Sequence, residues 1–525
     1  MGSIPAVNGT NGVDVEEVDV VIIGGGPTGL FVGLLLHRLG VSVRVLDAKP
    51  STLELGRADA LNARTQQYFE VANLLDELIP EGLKCNTSTT FGEGEFKSHQ
   101  SHWWTGLEHC LHKNFLMIGQ PVIERNIYRQ FPPSTVHHGE SVVSISEDAK
   151  GVSVETQTGR KVRGRYAWAA DGARSTVRTA LGIPFTGTKP EMLWAVMDVF
   201  LKTDFPTCPE IITFELNGQS RVAWIPRERG LSRFYVLLDG EVTLERAQAS
   251  VKEHLAPYNI EFERTEWYST FDVKERIAFT FISEHERILL GGDAAHVHSV
   301  NGGQGLNTGI SDAFAVAWRF ALAVKQQDLS PEQVSTLLQS YDAERRSTAA
   351  GVIDVAAALV RDTNHTAKQY VSTIERAAAY ITGMGISYEA FSSPLINNSE
   401  LGFWKAGHRC PDVILYGSGD EAKWLYQIVG YGKFLVLSIG VQSNVTSSSE
   451  HLTIYDIVPA EGQNDDAHKR KRQIDGVQRF AVDWLNDGSQ GFVVVRPDMY
   501  IGCVGESISA VEEYLEKVNI KLRKN

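Results

Sequence analysis

VDVVIIGGGPTGLFVGLLLHRLGVSVRVLD, residues 18–47, decides the fold. The β-branched run Val18–Ile23 reads as a strand that stops at three glycines. PTGLFVGLLLHRLG (27–40) reads as a helix closed by Gly40, and VSVRVLD (41–47) as a second strand. Strand, turn, helix and strand make a right-handed parallel unit. Gly24, Gly26 and Gly29 occupy its turn. The first makes the bend, the second lets backbone approach a pyrophosphate, and the third lets the helix lie on the sheet. The helix start at Pro27 and Thr28 offers free N–H groups and the positive end of a dipole to phosphate. Asp47, followed by Ala48, ends the second strand, where a carboxylate accepts hydrogen bonds from a ribose. That carboxylate repels a 2′-phosphate, so the expected tenant is FAD or NAD rather than NADP. GxGxxG alone is a weak signal; its place between strand and helix gives it weight.

Outward from this unit, 525 residues leave room for further domains. A 43% hydrophobic, 22% charged composition is that of a globular chain with sizeable cores. The net charge of −14 argues against nucleic acid or an anionic membrane as partner. Five cysteines, none spaced CxxC, argue against a disulfide framework and fit a reducing, cytoplasmic compartment. No apolar run is long enough to span a membrane.

Residues 1–17 read as a disordered leader. GRADALNARTQQYFEVANLLDEL (56–78) is a loop entering a helix. DGARSTVRTALG (171–182) is a turn and helix start. Residues 191–284 carry short alternating strands (LWAVMDVF, IITFEL, RVAWIP, RFYVLL, EWYSTFDV) and read as an inserted, mainly antiparallel domain. Helical patterns then run to about residue 385, followed by a loop-rich linker. KFLVLSIG, LTIYDIV and FVVVRPDMYIG suggest a separate α/β unit over 400–525.

A second glycine-rich stretch, RILLGGDAAHVHSVNGGQGLNTG (287–309), repeats the strand-then-turn logic. His296 and His298 have no third ligand in pattern, so no metal site is expected. Gly302, Gly303 and Gly305 instead allow close backbone approach just before a helix starting near Leu306. Such a helix end suits the electron-rich edge of a reduced flavin, and Asp293 suits ribityl hydroxyls.

GGGPTG, DGARSTVR and GDAAHVHSVNGGQGLNTG, in that order, resemble the class A flavoprotein aromatic hydroxylases. Within them the chain resembles the phenol hydroxylase-like branch, with GHRCPDVIL and FVVVRPDMYIG placed as in its C-terminal thioredoxin-like domain. The resemblance implies an α/β fold. A Rossmann-like FAD-binding domain of para-hydroxybenzoate hydroxylase type would span 18–190 and 285–395. An antiparallel-sheet substrate domain would fill 191–284, and a thioredoxin-like domain 400–525. It implies FAD, NADPH or NADH as transient reductant, and O₂ as co-substrate, with an aromatic hydroxylated through a flavin C4a-hydroperoxide.

Residue by residue, it implies that Gly24, Gly26, Pro27, Thr28 and Gly29 hold the ADP half of FAD, with Asp47 and Ala48 at its ribose. Gly56, Arg57, Ala58 and Gln120 would contact the flavin. Asp293 would bind the ribityl chain, and Gly303, Gln304, Gly305, Leu306 and Asn307 would line the ring. Asp171, Gly172 and Arg178 would serve FAD and the nicotinamide. Asp59 would act on the substrate hydroxyl and Arg276 would approach the flavin edge.

The family's tyrosine partner falls at Phe271 in EWYSTFDVKER, with Tyr268 three residues away; both are expected at the substrate pocket. Val300 stands where the family has proline. These two departures leave a simple phenol in question, and Baeyer–Villiger, epoxidising or dearomatising chemistry stays open beside hydroxylation. So does a flavin-binding interaction module without oxygenase activity. Trp103-Trp104 and the aromatic-rich middle segment suit a flat guest. A homodimer is expected, and the tail, lacking CxxC, is expected to pack rather than exchange disulfides.

Overall fold

The computed structural model describes residues 15–100, 107–206, 210–300, 302–417, 422–441, 443, 445–447, 449–459, 477–485 and 490–524. Strand β1 (Val15–Ile23), helix α1 (Pro27–Arg38) and strand β2 (Val43–Asp47) form the expected unit. β1 starts at Val15, three residues earlier than the sequence suggested. Val15–Glu17 pair with Lys161–Arg163, and that ladder extends the strand into the expected leader.

The first sheet has the order Val136–His138, β2, β1, Lys161–Ala169, Gly151–Thr156, Val142–Asp148, and Ile288–Leu290 lies parallel to Lys161–Ala169. Its register carries the functional argument. Ile23 pairs with both Leu46 and Ala169, and Ala169 pairs with Leu290. Four parallel strands therefore end at one level, and the next residues are Gly24, Asp47, Ala170 and Gly291. Turns that are hundreds of residues apart in sequence emerge side by side at the carboxyl edge of one sheet, where open α/β sheets bind ligands. The long helix Gln304–Lys325 packs on α1 beneath them.

The second sheet runs Ile260–Asp272, Leu193–Thr203, Ser232–Leu238, Gln219–Pro226, Ile211–Leu216, Ser88–Gly92, Glu95–Gln100. Two of its strands come from outside the expected 191–284 insertion: Ser88–Gly92 adds parallel to Ile211–Leu216 and covers that edge. Glu275–Ala278 leaves this sheet and pairs instead with Phe185–Thr188 and His296–Val297. Strand alternation divides its faces. Phe214, Phe234, Val236 and Met197 share a core with Val251 and Leu255 of the helix Leu244–Leu255. Thr213 and Tyr235, one residue out of phase with Phe214, Phe234 and Val236, face the other way, toward the cavity described below.

The C-terminal sheet has the order Ala422–Trp424, Ile414–Tyr416, Gln478–Val482, Leu452–Pro459, Phe434–Ile439, Gly491–Val495, Ile501–Gly505. It shares one hydrophobic core with the first sheet. A buried ion cluster joins them: Arg319 and Arg496 both bind Glu344, at 2.7 and 2.6 Å, and both bind Asp498. Breaking one partner of such a network is expensive because it strands a buried charge, so the tail is fixed to the body. No helix among the described residues is long and apolar enough to cross a membrane.

Candidate active site

Three contacts lock the sheet-edge turns together. Gly24 has φ +107, and a β-carbon there would come 2.2 Å from the Ala170 carbonyl oxygen, so the first turn presses on the start of the second. Thr28 packs against Gly292 and Gly309 of the third. Arg178 Nη1 donates to the Ala294 carbonyl at 2.7 Å, tying the second turn to the third. Asp171 accepts from Thr176 and Val177 N–H at 2.8 and 3.1 Å, capping the short helix that carries Arg178. Gly29 admits no side chain, since a β-carbon would lie 1.9 Å from the Gly24 carbonyl oxygen. Gly26 is the opposite case, with nothing within 4 Å of its β-position. That opening, in front of the uncapped start of α1, fits a pyrophosphate.

The remaining cofactor candidates surround the same edge. Asp47 is buried and accepts from the Gly25 and Lys49 N–H groups at 2.6 and 2.7 Å. Gln120 exchanges hydrogen bonds with Ala58, its N–H to the Ala58 carbonyl at 2.9 Å and its side-chain oxygen from the Ala58 N–H at 3.3 Å. Asn307 donates to the Ala60 and Gly303 carbonyls at 3.0 and 2.7 Å and accepts from the Asn62 N–H at 2.9 Å. The 56–62 turn and the glycine-rich helix start are thus one assembly. The helix itself begins at Gln304, two residues before the expected Leu306, because Gly303 takes a left-handed N-cap conformation (φ 63, ψ 33). Asp293 reaches solvent yet is walled by protein, which raises its pKa. His298 is recessed in the same way, and burial pushes it down to about 4. A solvent-accessible carboxylate beside the third glycine turn fits a ribityl chain.

Gly56 and Arg57 both have positive φ, +77 and +67. The Trp267 indole lies against Gly56 so closely that a β-carbon would sit 2.1 Å from it. Gly56→Ala is therefore expected to destabilise the protein by about 1–3 kcal/mol through backbone strain and overpacking. Urea melts check this; an unchanged midpoint contradicts the contact.

Beside these turns is a cavity of roughly 900 Å³, counting its opening to solvent. Gly302, Gly303 and Val300 form its turn side. Trp194, Ile211, Thr213, Val222, Ile225 and Tyr235 form the sheet wall, and Thr363, Tyr370, Ile374 and Ile381 close it from the helical segment after residue 360. Asp59 is the single carboxylate on its wall, and no Lys, Arg or His lines it among the described residues. Asp59 is 5% exposed and accepts from the Tyr235 hydroxyl at 3.0 Å. Arg233 Nη1 stands 3.3 Å from the same oxygen. Arg233 is itself fully buried, gripping Asp198 with Nε and Nη2 at 2.6 and 2.7 Å and donating to the Arg57 carbonyl. Burial, and then the Asp59 charge, push the Tyr235 phenol far up, so it remains a hydrogen-bond donor.

The tyrosine beside Asp59 is thus Tyr235. Phe271 and Tyr268 do not line the cavity. Phe271 packs against Trp194, Leu237 and Val273, and Tyr268 lies on the opposite face, its hydroxyl donating to the Val242 carbonyl at 3.3 Å. The expected departure at Phe271 therefore does not deprive Asp59 of a tyrosine. Arg276 sits in the small sheet opposite Gly187 and Val297, off the cavity wall and beside the third glycine turn. Trp103-Trp104 lies outside the described residues. Arg233 and Tyr235 had a legible signal: in RFYVLL they are polar residues in phase with each other, alternating with the core residues Phe234 and Val236. No metal-binding group of three or more His, Cys, Asp or Glu occurs among the described residues.

Comparison with known proteins gives the same picture. Residues 17–356 match the family described as FAD binding domain. The chain is 28% identical over 473 residues to a phenol 2-monooxygenase of Aspergillus fumigatus, covering 80% of this chain and 76% of that one. It is 30% identical over 347 residues to a rifampicin monooxygenase of Streptomyces venezuelae, covering 64% and 70%. The matched segments span between 53% and 76% of the curated relatives' lengths. Among solved structures, the anhydrotetracycline hydroxylase OxyS of Streptomyces rimosus superposes with a TM-score of 0.68 at 25% identity, covering 95% of this chain and 99% of that one.

Proposed function

This chain belongs to the FAD-binding-domain family of flavoprotein monooxygenases, and we propose that it hydroxylates a neutral, phenolic, polyketide-like aromatic, drawing its hydride from NADPH or NADH. The observation that carries this reading is the Asp59–Tyr235 pair, set in an otherwise uncharged cavity that opens on the Gly302–Gly303 turn.

In this reading Gly24–Gly29 and the start of α1 hold the pyrophosphate and Asp47 the ribose. Gly56–Ala58, Gln120, Asp293 and Gly303–Asn307 hold the rest of the cofactor. Bound FAD supplies two-electron acceptance and the activation of O₂ for transfer of one oxygen atom. The chain's own part is acid–base work and exclusion of water. Asp59 Oδ2 is taken by Tyr235, while Oδ1 has no protein partner among the described residues. That free oxygen accepts the substrate's hydroxyl proton. Arg233, 3.3 Å from Oδ2, and the Tyr235 hydroxyl fix the orientation of the carboxylate. Proton withdrawal makes the ring electron-rich and ready for an electrophilic oxygen. The apolar wall of Ile211, Val222, Ile225 and Ile374 excludes water from the site, which would limit loss of oxidising equivalents as hydrogen peroxide.

The charge inventory also selects the substrate. A ring carrying a carboxylate would meet Asp59 with no cation on the wall to balance it, whereas a neutral multi-ring phenol would bury apolar area against every side. Anaerobic bleaching of the flavin by NADPH or NADH, timed with a panel of phenols, tests the proposal. Neutral phenols should speed bleaching and hydroxybenzoates should not; the reverse order, or bleaching that no aromatic affects, contradicts it.

Tyr235→Phe should keep FAD and fold while lowering product formation about 10-fold, since Asp59 loses one neutral donor worth about 1.4 kcal/mol. Coupled assays of NAD(P)H consumed against product formed check this. Wild-type turnover would remove Tyr235 from the mechanism.

We also read the C-terminal unit as thioredoxin-like. Its support is the order Leu452–Pro459, Phe434–Ile439, Gly491–Val495, Ile501–Gly505, with the first two parallel, the others antiparallel and the helix Ile508–Glu516 following.

A further inference from the structure

Behind the first turns of the helix Gln304–Lys325 lies a second cavity, about 300 Å³, sharing no lining residue with the first. Two buried guanidinium groups, Arg64 and Arg345, line it. Arg64 donates to the Gln67 side-chain oxygen and the Tyr426 hydroxyl, both at 2.9 Å, and to the carbonyls of Asp498 and Met499. None of these acceptors is a carboxylate, and its Nε has no acceptor. The rings of Tyr68, Tyr500 and Tyr426, at 4.6, 5.1 and 5.8 Å, cushion the cation without supplying one. Arg345 donates from Nε to Asp312 at 2.8 Å and from Nη1 to the Tyr388 hydroxyl at 3.2 Å, and its Nη2 has no acceptor.

Arg64 stands outside the ion pairs of this region, in which Arg319, Arg345 and Arg496 are served by Asp312, Glu344 and Asp498. His296 draws further on Asp312, at 2.7 Å. The next carboxylates outward, Glu70 and Asp412, make no hydrogen bond or ion pair with Arg64: Glu70 lies 3.4 Å from His112, Asp412 accepts from the Tyr426 N–H at 3.1 Å, and each keeps one buried oxygen without a partner. No carboxylate lines the cavity among the described residues; its other polar groups are amides and hydroxyls, such as Asn62, Thr65 and Thr348. Buried guanidinium N–H groups without acceptors and a wall of amides and hydroxyls that carries no carboxylate together call for a small anion.

We propose that this cavity binds a monovalent inorganic anion of halide size, held between the Arg64 and Arg345 guanidinium groups. Its consequence reaches the cofactor turns. Arg345 anchors Asp312, and Asp312 in turn accepts from the Gly292 N–H at 2.9 Å and from His296. An anion on Arg345 therefore steadies the loop that opens the third glycine turn, a positioning role.

The test uses the FAD-loaded enzyme. Crystals soaked in sodium bromide should show an anomalous bromine peak within hydrogen-bonding reach of both guanidinium groups. In solution, sodium chloride should raise the melting temperature saturably above that in sodium gluconate of equal ionic strength, and Arg64→Gln should abolish the difference. Water density without anomalous signal at that position, or equal melting of the unaltered enzyme in the two salts, overturns the proposal; both readings hold even if the variant fails to fold.

Discussion

Asp59→Asn is expected to leave FAD bound and to cut hydroxylation by about 10²–10⁴-fold, the usual worth of a positioned base. The amide keeps the shape of the carboxylate and can still accept from Tyr235, so the cavity wall stays intact. What disappears is the acceptor for the substrate proton. Tyr235 cannot replace it, because burial holds its phenol far above its ordinary value and keeps it protonated. The variant then depends on substrate that has ionised in water. Below a phenol pKa of about 10 that fraction grows roughly tenfold per pH unit. The deficit against the wild type should therefore be greatest at low pH and shrink as pH rises. Single-turnover product formation across pH measures it; rates equal to wild type at every pH would take Asp59 out of the reaction.

Gly26→Val should be the most damaging substitution for cofactor binding. Gly26 has φ −80 and ψ −178, which valine adopts freely, and no protein atom lies within 4 Å of the new β-carbon. The fold has no reason to object. The branched side chain instead fills the opening before the first turn of α1, where the pyrophosphate is expected. FAD affinity should fall at least ~100-fold, a loss of about 2.7 kcal/mol, while the apoprotein melts as before. Gly24 and Gly29 make the contrast: β-carbons there meet backbone oxygens at 2.2 and 1.9 Å, so alanine at either position should damage folding first. Fluorescence titration of apoprotein with FAD, beside a thermal melt, separates the cases. Full occupancy in Gly26→Val would refute the placement of the phosphates.

What the sequence made legible was local. A β-branched strand running into glycines and a helix is a short-range pattern, and both glycine-rich turns obey it. Their meeting at one sheet edge follows once Lys161–Ala169 is placed between β1 and Ile288–Leu290. Less accessible was whatever depends on long-range register. Tyr235 reaches Asp59 because Ser232–Leu238 lies beside Leu193–Thr203, and the strand's phase turns residues 233 and 235 toward the turn at 57–59. A motif comparison along the chain pointed instead to Phe271, two strands away in the same sheet. Arg276 lies on a strand that leaves that sheet to pair with Phe185–Thr188 and His296–Val297, next to the third glycine turn. The recruitment of Ser88–Gly92 to the second sheet and the closing of the cavity by Thr363–Ile381 also join segments that carry no shared local pattern. The buried Arg–Glu–Asp cluster under the tail is of the same kind, since isolated charges in helices read as solvated faces until their partners are known.

The most direct measurement is the electron density of this chain loaded with FAD and a neutral phenol. The account predicts the pyrophosphate over Gly26 and the flavin ring between the 56–60 turn and Gly303–Asn307. The phenol hydroxyl should lie within hydrogen-bonding distance of Asp59. A cofactor bound away from those turns, or a phenol whose hydroxyl points away from Asp59 with the ring out of reach, would contradict it.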